Sequence, residues 1–348
     1  MLCVPFKIQF RLRCTLLIDL LLGRPDSWNK LFQSNTILHM VVPLLECRKR
    51  VGISTKRAFK GGAKSGGGNK KALLHRLTSL IKQKLFKIRL TSMPLSSPID
   101  MDAATNSFQF IMKEVKNSND KDHLSCCSSS LIFLLRMMPS SPELVSLVSS
   151  EYGGLVSDWS TKRNSGASLF EDLVSHMPIL AQASLSSALS RATLHARGFY
   201  LKLEASRLLS LMFAKKPNSE GCSEMERIAQ AKIHESQDDL LDKMHKSLNN
   251  EEIIKPKLAK AVFKSFEKML PFVSSPASSE ALALMSAIKT EISGLGGKHS
   301  ELNVIAIKLV EQINCRLEAL TTVPATPEGK KSKKKALSSG KKSKKKKR

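Results

Sequence analysis

Between Ser300 and Leu320 the apolar residues Leu302, Ile305, Leu309, Ile313, Leu317 and Leu320 recur every three or four positions. A helical turn of about 3.6 residues gathers such residues onto one stripe, so the segment reads as an amphipathic helix with Ser300 as its N-cap. The same spacing returns along the chain between clusters of Pro, Gly and Ser. It predicts helices over 28–32, 36–47, 71–88, 103–117, 122–138, 142–160, 167–176, 178–192, 195–214, 223–248, 251–270, 277–293 and 300–320. No convincing alternating run competes as a strand. Composition points the same way: aromatic residues are only 5% of the 348, so Leu, Ile, Val, Ala and Met must fill the core, and that palette favours helices.

Helices joined by short loops, with no βαβ alternation, predict an all-α fold. The expected form is an armadillo- or HEAT-like stack of helix pairs or an irregular α-solenoid, although no fixed repeat period is found. Charge divides this plan into parts. Twelve of the positive charges behind the formal net of +26 lie in 329–348, and nine more lie between Arg48 and Lys71, with no acid in either stretch. Like charges at this density repel one another and cannot be buried unpaired, so both stretches are expected to be solvated and disordered. The resulting division is a helical segment at 1–47, a basic Gly-rich linker at 48–70, a helical domain at 71–320 and a Lys-rich tail at 321–348.

At the start of the chain, Lys7, Arg11 and Arg13 precede an apolar run from Cys14 to Leu22, superficially like a signal peptide. Asp19 interrupts the run, no small-residue cleavage site follows, and the run is about half a membrane span. A buried helix ended by Gly23 and Pro25 is the plainer reading. The seven cysteines are odd in number and scattered, which suggests no disulfide framework.

Several short strings invite chemistry. Asp100 and Asp102 have metal-binding D-x-D spacing, but they stand at the start of a helix, where capping and the helix dipole account for them. His123, Cys126 and Cys127 make a partial metal set with no second pair of ligands, so core packing is the simpler reading. The glycine strings at 61–71 and 294–300 both fail the P-loop pattern, and no nucleophile elbow is present. No catalytic residue, metal or cofactor is therefore expected.

The basic segments carry the remaining signal. Arg48, Lys49, Arg50, Lys56, Arg57, Lys60, Lys64, Lys70 and Lys71 continue into Arg76, Lys82, Lys84 and Lys87 on the polar face of the 71–88 helix, and these are the candidate phosphate-binding residues. Apart from Phe59 the basic segments lack aromatic residues for base stacking, so binding is expected to ignore sequence. In the tail, KKSKKK occurs at 330–335 and again at 341–346. Lys330, Lys331, Lys333, Lys334, Lys335, Lys341, Lys342, Lys344, Lys345, Lys346, Lys347 and Arg348 thus have the form of a duplicated nuclear localisation signal read by import receptors. The main alternative is a peripheral protein held on anionic membrane by this tail, but the tail offers no prenylation box or second anchor.

Two segments also resemble a known family. FRLRCTLLIDLLL at 10–22 resembles an F-K-x-R-V-L-D-L-L-type helix of the Myb-binding protein 1A family, also called DNA polymerase V or phi. Phe10, Arg11 and Arg13 fall on its Phe, Lys and Arg, while Leu16 replaces its Asp and Asp19 lies where an acid often follows. LTSLIKQKLFKIR at 77–89 is similar to the family's segment ending in K-[IL]-F-K, with Lys84, Leu85, Phe86 and Lys87 in register. The resemblance implies a nucleolar scaffold of armadillo-like helices that associates with ribosomal DNA chromatin, regulates its transcription and takes part in ribosome biogenesis. Nucleic acid (rDNA or rRNA) and nucleolar or transcription-factor proteins would be its partners, and this chain would correspond to the C-terminal portion of longer members. The polymerase name implies an enzyme, for which only Asp100 and Asp102 could be offered as metal-binding carboxylates.

Overall fold

The computed structural model describes residues 4–22, 34–60, 67–85, 99–162, 167–215, 223–273 and 277–321. Among these residues there is no strand, and the fold is all-α. Its fourteen α-helices are α1 (Val4–Leu22), α2 (Ser34–Lys60), α3 (Gly67–Ser79), α4 (Met101–Asn117), α5 (Lys121–Met137), α6 (Pro142–Lys162), α7 (Ala167–His176), α8 (Pro178–His195), α9 (Phe199–Met212), α10 (Glu224–Glu235), α11 (Gln237–Leu248), α12 (Pro256–Met269), α13 (Ser279–Lys298) and α14 (Ser300–Thr321). A π-helical turn, Leu80–Leu85, extends α3, and short 3-10 turns at Glu251–Ile254 and Leu270–Phe272 flank α12.

The principal contacts join helices no more than three apart in order, such as α2 with α3, α4 and α5, α9 with α12, and α13 with α14. The most connected element is α8, which packs against α6, α7, α9, α10 and α11. Its composition explains why. Small residues, Ala181, Ser184, Ser186, Ser190 and Ala192, are buried among leucines and let neighbours approach from several sides. Of the hydroxyls in this setting, Ser190 donates to the Ser186 carbonyl at 2.8 Å and Thr193 to that of Ser190 at 2.7 Å, while that of Ser184 has no partner among the described residues. Buried Gln182 reaches across to the end of α9, donating to the carbonyls of Met212 and Lys215 at 2.7 and 2.9 Å. These are carbonyls that the helix end itself leaves unpaired.

Sequence expectation and structure part at five places, the first being the helix expected over 251–270, which begins as a separate 3-10 turn, Glu251–Ile254, and is α-helical only over Pro256–Met269. The linker expected over 48–70 is corrected: residues 48–60 belong to α2, and α3 begins at Gly67. The buried stripe Ile37, Leu38, Val41, Leu44, Leu45 runs on without a break through Arg48, Val51 and Thr55, so the helical period continues beneath the charges. The N-terminal helix is corrected too, since on α1 Phe10, Leu17 and Leu20 are each about 60% exposed, and among its residues 9–20 only Thr15 is buried. The expected 223–248 helix is two, broken at Ser236, whose N–H and hydroxyl both return to the Lys232 carbonyl. Asp238 and Asp239 then open α11, as suits a helix N-terminus. Finally, Ser300 is the first helical residue of α14 and not its cap. The short helix expected at 28–32 and the tail 322–348 lie outside the described residues.

Candidate nucleic-acid interface

Arg48 occupies a core position of α2 and is 2% exposed. A guanidinium cannot shed its proton, so burial demands a counter-charge. Asp120 supplies it from the turn between α4 and α5, at 3.7 Å. Asp120 is the N-cap of α5, accepting from the backbone N–H groups of Asp122 and His123 at 3.1 and 3.2 Å, and it also binds Lys56 at 2.9 Å. One carboxylate thus serves a helix end and two cations of α2. Beside it, Lys49 grips Glu114 of α4 at 2.9 and 2.6 Å, and Glu114 lies 3.3 Å from Nε2 of buried His123. Cys127, one turn on from His123, completes the row with its sulfur 3.7 Å from the same nitrogen.

The titration of these groups follows from the geometry. Burial pushes the Glu114 carboxyl up, but hydrogen bonds from Lys49 and His123 and their charges outweigh it and hold the group below its ordinary range. Burial likewise opposes ionisation of Asp120, and the Lys56 hydrogen bond, the His123 N–H and the charge of Arg48 prevail over it. His123 is pushed down, first by burial and then by Arg48, against the pull of Glu114. Burial raises the Cys126 thiol and takes that of Cys127 up to about 12, so neither is a thiolate at neutral pH. The row behaves as packed core with a neutral imidazole inside.

The candidate basic residues therefore separate into two groups. Arg48, Lys49 and Lys56 are committed to acids of α4 and its turn, and Arg50 pairs with Glu46 one turn back at 3.0 Å. Buried Arg48 is corrected from a solvated position to a core one, whereas Lys49, Arg50 and Lys56 keep solvent contact and carry an acidic partner as well; Arg48, Lys49 and Lys56 hold α2 against the fold. Lys84 is tied to Asp19 of α1 at 3.7 Å. Arg57, Lys71, Arg76 and Lys82 are exposed and form no ion pair among the described residues, and half-buried Lys70 sits beside them at the start of α3. The side chain of Lys60, and residues Lys64 and Lys87, lie outside the described residues, as do all twelve basic residues of the tail. Local sequence could not show the pairing, because Glu114 and Asp120 are more than sixty residues away from their partners.

Asp100 caps α4 by accepting from the Ala103 N–H at 2.9 Å, and Asp102 is an exposed residue of its first turn. No group of three or more His, Cys, Asp or Glu gathers as metal ligands among the described residues. No described helix is long and apolar enough to cross a membrane. Fold and surface define an all-helical protein whose candidate site is a charged face of α2, α3 and the π-helical turn. No family model matches the chain, and no curated protein or solved structure is significantly similar to it.

Proposed function

We propose that this protein is a nucleolar helical scaffold of solenoid type, which associates with ribosomal DNA chromatin through sequence-independent phosphate contacts and supports rDNA transcription and ribosome production. The observation that carries the reading is the uneven charge. After the internal pairs of α2 are set aside, Arg57, Lys71, Arg76 and Lys82 remain exposed, and the tail adds twelve more basic residues. Phosphate backbones reward such density through counterion release and need no groove-reading motif. The principal contacts between helices near in order suit a stacked solenoid. The resemblance at 10–22 and 77–89 supports the nucleolar setting, with the helical body binding proteins and the tail read by import receptors. No catalytic role is assigned to any residue.

Localisation of the fluorescently tagged chain tests this. Nucleolar accumulation is expected, lost on deletion of 329–348 and restored by a heterologous import signal. A plasma-membrane rim would replace it with the peripheral-membrane reading.

A further inference from the structure

α12 carries a lysine stripe. Lys257, Lys260, Lys264 and Lys268 follow at spacings of three and four along PKLAKAVFKSFEKM, while Leu258, Val262, Phe263, Phe266 and Met269 are buried on the opposite side. Four such positions span about three turns, or roughly 16 Å. Beside the stripe, α14 runs along α12 and leaves between them two adjoining hollows of about 690 and 360 Å³, which share Glu267, Lys268, Lys308 and Gln312. Phe263 and Leu309 lie beneath the hollow and are 0 and 2% exposed, so the apolar surface it offers is half-buried Ile305 and, at one edge, Val304, which is 76% exposed. At the other end Arg316 is already spent, its Nε donating to the Val273 carbonyl at 3.0 Å.

We infer that this groove is a docking site for an acidic amphipathic helix of a partner protein, its apolar residues entering between α12 and α14 and its carboxylates meeting Lys260, Lys264, Lys268 and Lys308. Charge complementarity selects the occupant. The protein's own Lys-rich tail is repelled by the stripe, and a second copy would set lysines against lysines. Nucleic acid is disfavoured because Phe263, fully buried, presents no ring for a base to stack on; Glu267 and Glu311, which line the same groove, oppose any anion and so confine a partner's carboxylates to the lysine positions. An apolar surface rimmed by cations fits helix-in-groove recognition, where anchors at helical spacing give affinity and flanking charge gives orientation. The groove is separate from the basic face of α2 and α3, so its fate does not depend on the nucleic-acid reading.

The test uses the full chain and a labelled synthetic peptide of about four helical turns, with Leu at helical spacing and Glu elsewhere, against a scrambled peptide of the same composition. Fluorescence anisotropy at physiological salt should show saturable binding of the amphipathic peptide, weakened about tenfold in Lys260→Glu/Lys264→Glu, two exposed sites that leave the core intact. Cys315 lines the groove and is exposed, so the peptide should also protect it from alkylation, read by mass spectrometry. The inference fails if the scrambled peptide binds equally, if the double variant binds unchanged, or if Cys315 is left unprotected. Protection of Cys315 by a single-stranded oligonucleotide in place of the peptide would instead assign the groove to nucleic acid.

Discussion

Two glycines two residues apart on α13 should respond to alanine in opposite directions. A Cβ on Gly296 would stand 2.6 Å from the Cβ of Ala306 on α14, and since neither atom can swing away, the helices would have to part. Overpacking of this kind costs about 1–3 kcal/mol, more than the roughly 0.5–1 kcal/mol that alanine gains over glycine in a helix. Gly294 has nothing within 4 Å of its added Cβ, so there only the gain remains. Urea denaturation should therefore find Gly296→Ala less stable and Gly294→Ala more stable than the native chain; equal shifts would mean that α13 and α14 do not meet at Gly296. A second residue-level prediction concerns Tyr152, fully buried between Phe108 and Phe170 with a hydroxyl that has no hydrogen-bond partner among the described residues. Burial pushes that phenol far above its ordinary range, so it packs as a neutral ring. Tyr152→Phe removes an unpaired buried polar atom and should stabilise by about 1 kcal/mol in the same assay, whereas a loss of that size would reveal a partner for the hydroxyl.

α2 is held by charge as well as by its apolar stripe, and Asp120 takes two of its cations, Arg48 and Lys56. Asp120→Ala removes the α5 cap and leaves buried Arg48 without its counter-charge, a loss of roughly 2–4 kcal/mol given that Asp120 is itself about a quarter exposed. Adding Arg48→Met to that variant should return part of the stability, because the stranded charge is gone; a double variant as unstable as the sum of the two singles would exclude the coupling. The same network sets a pH dependence of one sign. His123 titrates in the fold below its ordinary 6.5, so the unfolded chain takes up the proton first and stability falls as pH drops through that value. Glu114 and Asp120, held below their ordinary 4.5 and 3.8, contribute fully above those values and lose their share as pH falls through their lower folded ones. Denaturation midpoints between pH 8 and 5 should decline in the native chain and decline less in His123→Gln. Stability that rose on acidification would contradict the buried neutral imidazole. Why the second half of α2, beyond the helix expected over 36–47, escaped a sequence reading is visible in the same residues. The helices from α4 to α9 were legible from their apolar patterns and the breaks between them, whether the helix buries one face, as α4 does with Ala104, Phe108, Ile111 and Met112, or several, as α5 and α8 do. The segment after Cys47 carries a buried stripe too, but the charges from Arg48 on, with Glu46 the one acid close by, obscured it, and the acids that pair with Arg48, Lys49 and Lys56 arrive only when α4 and the turn before α5 pack alongside. Of the candidate site, the exposure of Arg76 and Lys82 was legible because it is what a polar helix face predicts, whereas Arg57 was expected in a linker and stands exposed on α2 instead.

For the whole molecule the consequence is that removing charge has two distinguishable effects. Replacing Lys49 or Lys56 with alanine strips a partner from Glu114 or Asp120, so any loss of nucleic-acid binding would come mixed with loss of stability. Replacing Arg57, Lys71, Arg76 and Lys82 touches no ion pair among the described residues and leaves the core alone. If the native chain engages about six phosphates, log K should fall against log salt with a slope near −5, a loss of roughly a thousandfold between 50 and 200 mM. The quadruple alanine variant should keep the native denaturation midpoint and flatten the slope by about 0.9 for each phosphate contact it gives up, to the same extent on DNA of any sequence. Truncation at residue 328 should flatten it separately, and the two reductions should add, since α3 and the tail contribute different charges. A quadruple variant with native slope would move the whole of the binding to the tail, and a strong preference for one sequence would show that phosphate contacts do not dominate.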